Sequence, residues 1–164
     1  MGKYTKTEVI GVVFSKLKPD KTKIFADIGC GSGAVTEFFA PYVKKAYAVD
    51  LSVEAIKQAQ ERLRKFENVE VVCSDGKEFL EKHDVDIAFF GGTKGIESML
   101  EVCTAERVVV NAARIDVAVK VAEKMREIGI FEEIVLVNVA KSYELAGGLA
   151  FKPLNPVFVV CGEL

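Results

Sequence analysis

The sequence predicts a doubly wound α/β domain, with a seven-stranded and mostly parallel sheet whose last strand runs antiparallel. From residue 23 onward, short apolar runs alternate with segments of helical periodicity, which is typical of a parallel sheet with helices on both faces. The first run leads directly into glycines at positions 29, 31 and 33, a strand-to-helix turn that such folds use for ligands. The tail has two apolar segments around Gly147-Gly148, which indicates an antiparallel pair. At 164 residues, we expect one domain spanning 1–164.

Caps and periodicity predict each element in order. Thr5 and Glu8 fit a capping box, with Thr5 as the N-cap of a first helix that ends near Lys18. Ser52 is the N-cap candidate of a helix that ends near Phe66. The other predicted helices cover about 33–41, 76–81, 95–103 and 114–129. The predicted strands cover about 23–28, 45–49, 69–73, 87–90, 108–110, 132–143 and 156–161.

The composition argues against several classes of function. A formal net charge of −2 argues against a large surface for binding nucleic acid, with a local basic patch as the alternative. No apolar run approaches the roughly 20 residues of a membrane span, and the first six residues have no signal core. We therefore expect a cytoplasmic protein without membrane contact. The four cysteines have no C-x-x-C spacing, and the single histidine, His83, lies in a charged connection where we expect a solvated loop residue, so no bound metal is predicted.

The glycine loop is the candidate cofactor site. Glycines allow the backbone to turn tightly and to approach a ligand without Cβ clashes. Asp50 ends the next apolar run, where the second strand of a βαβ unit brings an acid to ribose hydroxyls. A glycine-rich turn without a ligand is the alternative for the loop alone, and the position of Asp50 favours the cofactor.

The spacing of the glycines separates two classes of cofactor. Dinucleotide sites usually have the pattern G-x-G-x-x-G, whereas this chain has G-x-G-x-G. Asp27, two residues before the first glycine, would repel a pyrophosphate but accept a hydrogen bond from an ammonium group. The loop resembles that of the class I S-adenosylmethionine methyltransferases, whose relatives contact adenine after the third strand. Asp75 is at that position, although Asp75-Gly76 is also ordinary turn chemistry.

Further segments, in order along nearly the whole chain, make the sequence similar to one family, the archaeal decarboxylating cobalt-precorrin C15-methyltransferases of the Rossmann-like class I fold. These segments are Thr5-Lys6-Thr7-Glu8-Val9, the loop 27–33, Tyr47-Ala48-Val49-Asp50, Gly91-Gly92-Thr93-Lys94 with Ile96-Glu97, Ser142-Tyr143 and Asn155-Pro156. One departure is that relatives often begin with a Pro-Gly-x-Pro segment, which is missing here and which would bear on how the front of the pocket is covered.

The resemblance implies C15 methylation of a cobalt-precorrin, a tetrapyrrole, with decarboxylation of the C12 acetate side chain, in cobalamin biosynthesis. It implies S-adenosylmethionine as methyl donor, S-adenosylhomocysteine as product and a homotetramer. It also implies the residues that bind the cofactor, namely Thr5, Gly29, Cys30, Gly31, Ser32, Gly33, Asp50 and Gly76.

The substrate would be a polycarboxylate, so we expect cationic side chains around it. Lys94, Arg114 and Lys141 fall on predicted loops or strand ends near the site, and solvated surface cations are the alternative for each. Lys94 is also the candidate catalytic residue, as a general acid, and Tyr143 is a weaker one. A methyltransferase acting on another small molecule or on RNA is the main alternative function, and a non-catalytic cofactor-binding relative and a dehydrogenase are further alternatives. The chain has no Pro-Cys and no Asn-Pro-Pro-Tyr motif, which weakens a nucleic-acid substrate.

The tail predicts self-association. Its apolar side chains are numerous for an edge hairpin, and an uncovered edge of this length would pair with other chains. The alternative is that the chain's own helices and the loop 144–152 shield them. The side chains concerned are Ile134, Leu136, Val139, Phe151, Leu154, Val157 and Val159.

Overall fold

The protein, described over residues 5–164 by a computed structural model, alternates strands and helices up to its last quarter. The helices are α1 (Thr7–Leu17), α2 (Ala34–Phe39), α3 (Val53–Leu63), α4 (Gly76–Lys82), α5 (Ile96–Val102) and α6 (Ile115–Glu127), with a 3-10 turn at Ala40–Tyr42. The strands are β1 (Ile24–Ile28), β2 (Lys45–Asp50), β3 (Val69–Cys73), β4 (Ile87–Phe90), β5 (Arg107–Ala112), β6 (Phe131–Val137), β7 (Ala140–Leu145), β8 (Gly148–Pro153) and β9 (Val157–Glu163).

Seven of these strands form one sheet in the order β3-β2-β1-β4-β5-β9-β6. The pairs from β3 to β5 are all parallel, and β9 runs antiparallel to both of its neighbours. The chain moves outward from β1 to β3 and then crosses back to β4 on the other side of β1. This reversal of strand order opens a crevice at the carboxyl ends of β1 and β4, where doubly wound folds bind their ligands. The predicted fold class, including the reversed last strand, is confirmed.

Apolar side chains fill both faces of the sheet. On one face, α1 and α2 cover a core that includes Phe25 and Phe89, and α3 packs beside them. On the other face, α4, α5 and α6 cover Ala88 and Phe90. Because successive side chains of a strand point to opposite faces, the four apolar residues of β4 are buried on both sides, as strands inside parallel sheets are.

The start of α1 differs from the prediction. Lys6 is the N-cap residue, without a side-chain cap, so the predicted capping box with Thr5 as N-cap is wrong. The Glu8 carboxylate pairs with the Lys141 Nζ at 2.8 Å instead of reaching back to the N-cap. Thr5 is thereby free of a capping role and lies against the cavity described below.

The tail also differs from the prediction. The run 132–143 is not one strand, because β6 ends at Val137 and β7 starts at Ala140. Strand β7 leaves the main sheet and pairs with β8 in a separate hairpin, which the sequence did not predict. Its turn uses Ala146 and Gly147, both with positive φ. The break at 138–139 contains Asn138, which favours turns, but no Gly or Pro, so the sequence marks the end of β6 only weakly.

His83 packs against the fold, so its prediction as a solvated loop residue is wrong. Its ring stacks on that of Phe79 with centroids 4.1 Å apart, and its Nδ1 lies 2.9 Å from the Phe79 carbonyl oxygen. Over residues 5–164, no helix has the length and apolar character needed to cross a membrane.

Candidate active site

The glycine loop after β1 is fixed by its own backbone. Gly29, Gly31 and Gly33 all have positive φ, the left-handed region that favours glycine. The N–H groups of Gly29 and Cys30 donate to the Val49 carbonyl oxygen at 2.8 and 3.0 Å, and the Gly33 N–H donates to the Cys30 carbonyl oxygen at 2.9 Å. The loop is therefore tied to the end of β2, and these N–H groups already have acceptors.

Asp50 joins the loop to the next helix. Its Oδ2 accepts from the Gly31 N–H and its Oδ1 accepts from the Ser52 N–H, both at 2.9 Å. The Ser52 side chain in turn caps α3 by accepting from the Ala55 N–H at 3.3 Å, as predicted. Each carboxylate oxygen keeps a second lone pair, so Asp50 can hold the loop and still accept from a ligand hydroxyl.

At two of the predicted glycines, an added Cβ would crowd neighbouring side chains. A Cβ on Gly33 would lie 2.9 Å from the Leu63 Cδ1, and Gly33 is the N-cap residue of α2. A Cβ on Gly76 would lie 2.6 Å from the Met99 Sδ. Asp75 caps α4, its Oδ1 accepting from the Lys77 and Glu78 N–H groups at 2.9 and 3.1 Å.

Asp27 is a fully buried acid at the end of β1, with 0% of its surface exposed. Its Oδ2 accepts from the N–H and the hydroxyl of Thr36 at 3.0 and 2.6 Å, whereas its Oδ1 has no hydrogen-bond partner among residues 5–164. Burial raises the pKa of Asp27 to about 7, although the Thr36 bonds oppose the rise. Half of this carboxyl group is therefore available to a ligand that donates a hydrogen bond.

Two glycines bring the turn after β4 against the loop after β1. The Gly91 N–H donates to the Ile28 carbonyl oxygen at 3.0 Å. A Cβ on Gly91 would lie only 2.9 Å from the Gly29 carbonyl oxygen, closer than real Cβ atoms approach such an atom. The two segments that line the crevice thus touch through their backbones.

A cavity of about 420 Å³ occupies this crevice, within the range of small-molecule sites. Six of the predicted cofactor residues line it, and four, Gly33, Asp50, Asp75 and Gly76, do not. The lining also includes the start of α3 and Phe89, which the sequence did not predict as site residues. The lining residues are Thr5, Asp27, Gly29, Cys30, Gly31, Ser32, Ala34, Val35, Ser52, Glu54, Ala55, Gln58, Phe89 and Gly91.

The residues missed on α3 had a usable signal. Glu54 and Gln58 are four residues apart and so lie on one face of the helix that Ser52 caps, next to the loop. Gln58 Nε2 donates to the Glu54 carboxylate at 3.4 Å. Phe89 had no such signal, since its strand is apolar throughout. Burial raises the pKa of the Cys30 thiol far above its ordinary value, which keeps the thiol protonated in the cavity wall.

The three predicted substrate cations lie outside the lined cavity. Lys94 is exposed, three residues beyond Gly91. Arg114 is exposed and makes two hydrogen bonds to the Asp116 carboxylate, at 3.0 and 2.6 Å. Lys141 pairs with Glu8 at the start of α1. Of the three, Lys94 is the one whose turn borders the crevice, since Gly91 of that turn lines the cavity.

The donors and acceptors of the cavity discriminate between cofactors. A pyrophosphate needs free N–H groups or cations. The N–H groups of Gly29, Cys30, Gly31, Gly33 and Thr36 already donate to protein atoms, and among residues 5–164 no lysine or arginine lines this cavity. A ligand with an ammonium group and ribose hydroxyls instead suits the carboxylates of Asp27 and Asp50. Over residues 5–164, no group of three or more His, Cys, Asp or Glu side chains is arranged to hold a metal ion.

The sheet order, the glycine loop and the acid at the end of β2 define a class I methyltransferase fold. Residues 1–161 match the family model described as a precorrin methyltransferase domain. The chain belongs to this family.

Named relatives agree with this family. A protein from Archaeoglobus fulgidus named probable cobalt-precorrin-6B C(15)-methyltransferase (decarboxylating) is 69% identical, over 99% of this chain and 98% of its own length. The crystal structure of a precorrin 8w decarboxylase from Methanobacterium thermoautotrophicum superposes with a TM-score of 0.91 at 28% identity, covering 99% and 93% of the two chains. The crystal structure of a precorrin-6y C5,15-methyltransferase from Geobacter metallireducens superposes with a TM-score of 0.90 at 28% identity, covering 98% of this chain and 91% of its own.

Proposed function

We propose that the chain is an S-adenosylmethionine-dependent methyltransferase of cobalamin biosynthesis, which methylates C15 of a cobalt-precorrin and decarboxylates its C12 acetate side chain, so that the carboxyl carbon leaves as carbon dioxide and a methyl group stays on C12. The observation that carries the proposal is the 69% identity with the Archaeoglobus fulgidus protein of that name, over nearly the whole of both chains. The cavity at the switch point of the sheet supports the same class of reaction.

The cofactor would lie along the loop after β1. Asp27 would accept from its ammonium group and Asp50 from its ribose hydroxyls. Thr5 and residues 29–32 would enclose the amino-acid end of the cofactor. Asp75 and Gly76 would contact its adenine. Gly33 would act through the packing of α2 on α3. These assignments are supported by the orphan Oδ1 of Asp27 and by the two donors that orient Asp50.

The chemistry supplied by the bound cofactor is an electrophilic methyl group, and the protein's task is alignment. Well-oriented reactants can recover roughly 7–11 kcal/mol of a bimolecular barrier. The rigid loop fixes the donor side, and the Gly91 turn, in backbone contact with Gly29, fixes the distance to the acceptor side. Phe89 and the buried Cys30 thiol form an apolar part of the cavity wall, which would help to exclude water. An electron-rich tetrapyrrole carbon then needs no strong protein base.

Lys94 is the proposed substrate contact and general acid, because the turn after β4 lies beyond the cofactor cavity on the acceptor side. Arg114 and Lys141 are proposed to attract the carboxylates of the substrate. Both have carboxylate partners within the chain, so substrate would compete with Asp116 and Glu8 for them.

We also propose a homotetramer that acts in the cytoplasm. The β7-β8 hairpin stands apart from the main sheet and exposes several large apolar side chains, two of them, Leu149 and Phe151, by 70%. Apolar patches of this kind usually mark contact surfaces. Two exposed strand edges would be covered if hairpins of neighbouring copies paired.

The direct test is a stoichiometric assay with cobalt-precorrin-6B. Labelled methyl transfer from S-adenosylmethionine and release of carbon dioxide should both depend on the corrinoid and on the protein. Parallel reactions with transfer RNA and with a phenolic acceptor examine the alternative substrates. Methylation of either of these, with none of the corrinoid, would overturn the assignment.

A further inference from the structure

Two buried side-chain oxygens lack a hydrogen-bond partner over residues 5–164, and they flank the same strand. They are Oδ1 of Asp27 on β1 and Oδ1 of Asn111 on β5. The strand between them is β4, since Asp27 is in register with Phe89 and Phe89 with Val109. An unpaired buried polar atom destabilises the fold that contains it, so these two oxygens call for an explanation beyond packing.

Asn111 lies on the face of the sheet that α1 covers. Val109, two residues earlier, packs in the core beneath α1, whereas Val108 and Val110 belong to the core on the opposite face. Alternation along the strand therefore directs Asn111 to the α1 face. Asp27 lies on this face as well, because Phe25 packs in the same core as Val109.

Asn111 is also at the correct edge of the sheet. Phe90, the last residue of β4, is in register with Val110, so Asn111 is level with Gly91. Gly91 lines the cofactor cavity, and Asn111 follows it one strand further from β1, about 4.8 Å away by strand spacing. Antiparallel pairing with Val159 of β9 closes the other side of Asn111. Asn111 thus stands just past the Gly91 wall of the cavity, opposite the cofactor loop.

We propose that Asn111 binds the tetrapyrrole substrate, its terminal amide pairing with a carboxyl group of the ring periphery. A primary amide and a carboxyl group form a two-point pair, in which the amide oxygen accepts from the acid O–H and the amide N–H donates to the acid carbonyl. Removal from water favours the neutral acid that this pair requires. The contact would orient the acceptor carbon toward the methyl donor held at Asp27 and Asp50. This inference rests on the proposed function, since it takes the polycarboxylate substrate from it.

The test compares Asn111→Leu with Asn68→Leu. The Asn68 amide has protein partners, donating to the carbonyl oxygens of Ala40 and Val43 at 2.8 and 3.1 Å, and it lies at the opposite edge of the sheet, just before β3. For Asn111→Leu we expect an unchanged or raised melting temperature, cofactor affinity within about 2-fold, and cobalt-precorrin-6B binding weakened by about 10-fold or more. For Asn68→Leu we expect a lower melting temperature and unchanged substrate binding.

Three outcomes would overturn the assignment. Unchanged corrinoid binding by Asn111→Leu would remove Asn111 from the substrate site. A fall in its melting temperature like that of Asn68→Leu would assign the amide a structural role. If the wild-type protein itself binds cofactor but no corrinoid, the proposed function fails and this inference fails with it, and the wild-type measurement identifies that case.

Discussion

Asp50 Oδ2 accepts a hydrogen bond from the Gly31 N–H at 2.9 Å, so the acid of β2 and the glycine loop of β1 form one structural unit. The sequence alone predicts Asp50 only as a ligand for the ribose of the cofactor, so its replacement would be expected to leave the fold nearly unchanged. Because the same carboxylate also orients the Ser52 N–H, we instead expect loss of both affinity and local order.

Replacing Asp50 by Ala should weaken S-adenosylmethionine binding by about 1.5–3 kcal/mol, the range for hydrogen bonds to charged groups, and should lower the free energy of unfolding by about 1–3 kcal/mol. Titration calorimetry and thermal unfolding measure the two effects. Asp20→Ala is the matched control, because Asp20 accepts from the Thr22 N–H at 2.7 Å outside the cavity lining. The Asp20→Ala variant should lose stability but keep its affinity for the cofactor. Full cofactor affinity in Asp50→Ala would exclude Asp50 from the site.

Asp27 should make the stability of the cofactor-free protein depend on pH. Its folded-state pKa of about 7 lies above the ordinary value of an aspartate, so the folded state holds the proton more tightly than the unfolded state. This contribution is complete below about pH 4, is lost as pH rises through 7, and is on the order of 4 kcal/mol in size. Chemical denaturation between pH 4 and 8 should show the fall, and Asp27→Asn should reduce it.

The same carboxyl group should make cofactor binding depend on pH in the opposite sense. An ammonium ligand requires ionised Asp27, so binding must release its proton below pH 7. The dissociation constant of S-adenosylmethionine should then decrease by up to about 10-fold per pH unit between pH 5 and 7. Asn at position 27 should give a flat profile with weaker binding. A flat wild-type profile would mean that the orphan Oδ1 does not face the ammonium group.

Gly91 should tolerate no side chain. In Gly91→Ala the new Cβ would be 2.9 Å from the Gly29 carbonyl oxygen, and the turn and the loop would have to separate. Overpacking of this kind typically costs about 1–3 kcal/mol, and here we expect weaker cofactor binding as well. Gly92→Ala is the control next to it, since a Cβ there has no neighbour within 4 Å. Equal behaviour of the two variants in unfolding and in calorimetry would contradict a fixed backbone contact.

Lys94→Ala should lower turnover of the corrinoid and leave cofactor affinity nearly unchanged, because Lys94 lies outside the cofactor cavity on the turn after β4. Initial rates at varied corrinoid concentration separate binding of the substrate from its conversion. The exposed Lys120 on α6 provides the control Lys120→Ala. Wild-type rates in Lys94→Ala would identify Lys94 as a solvated surface residue.

Local signals in the sequence specify most of the sheet and part of the site. Strands 69–73 and 87–90 have the predicted bounds, because turn residues flank short apolar runs. The separation of β7 from β6 depends on which strands pair, and at residues 138–139 only Asn138 favours a turn, with no Gly or Pro beside it. Likewise, the Thr36 hydroxyl on Asp27 and the close approach of Gly91 to Gly29 arise only when elements distant in sequence pack together. The predicted ligand roles of the site residues remain predictions.

The hairpin of β7 and β8 should control assembly. Phe151 is 70% exposed and lies opposite Ser142 in the hairpin, and Leu149 on the same strand is equally exposed, so a charge at Phe151 would face any partner copy that covers them. Phe151→Glu should therefore convert a tetramer into smaller species at micromolar concentration, while the fold of the main sheet persists. Tyr42→Glu, at an aromatic residue 51% exposed on the 3-10 turn after α2, should leave the assembly intact. Sedimentation velocity of both variants and of the wild type decides the matter, and a wild-type species of 17.9 kDa would refute self-association.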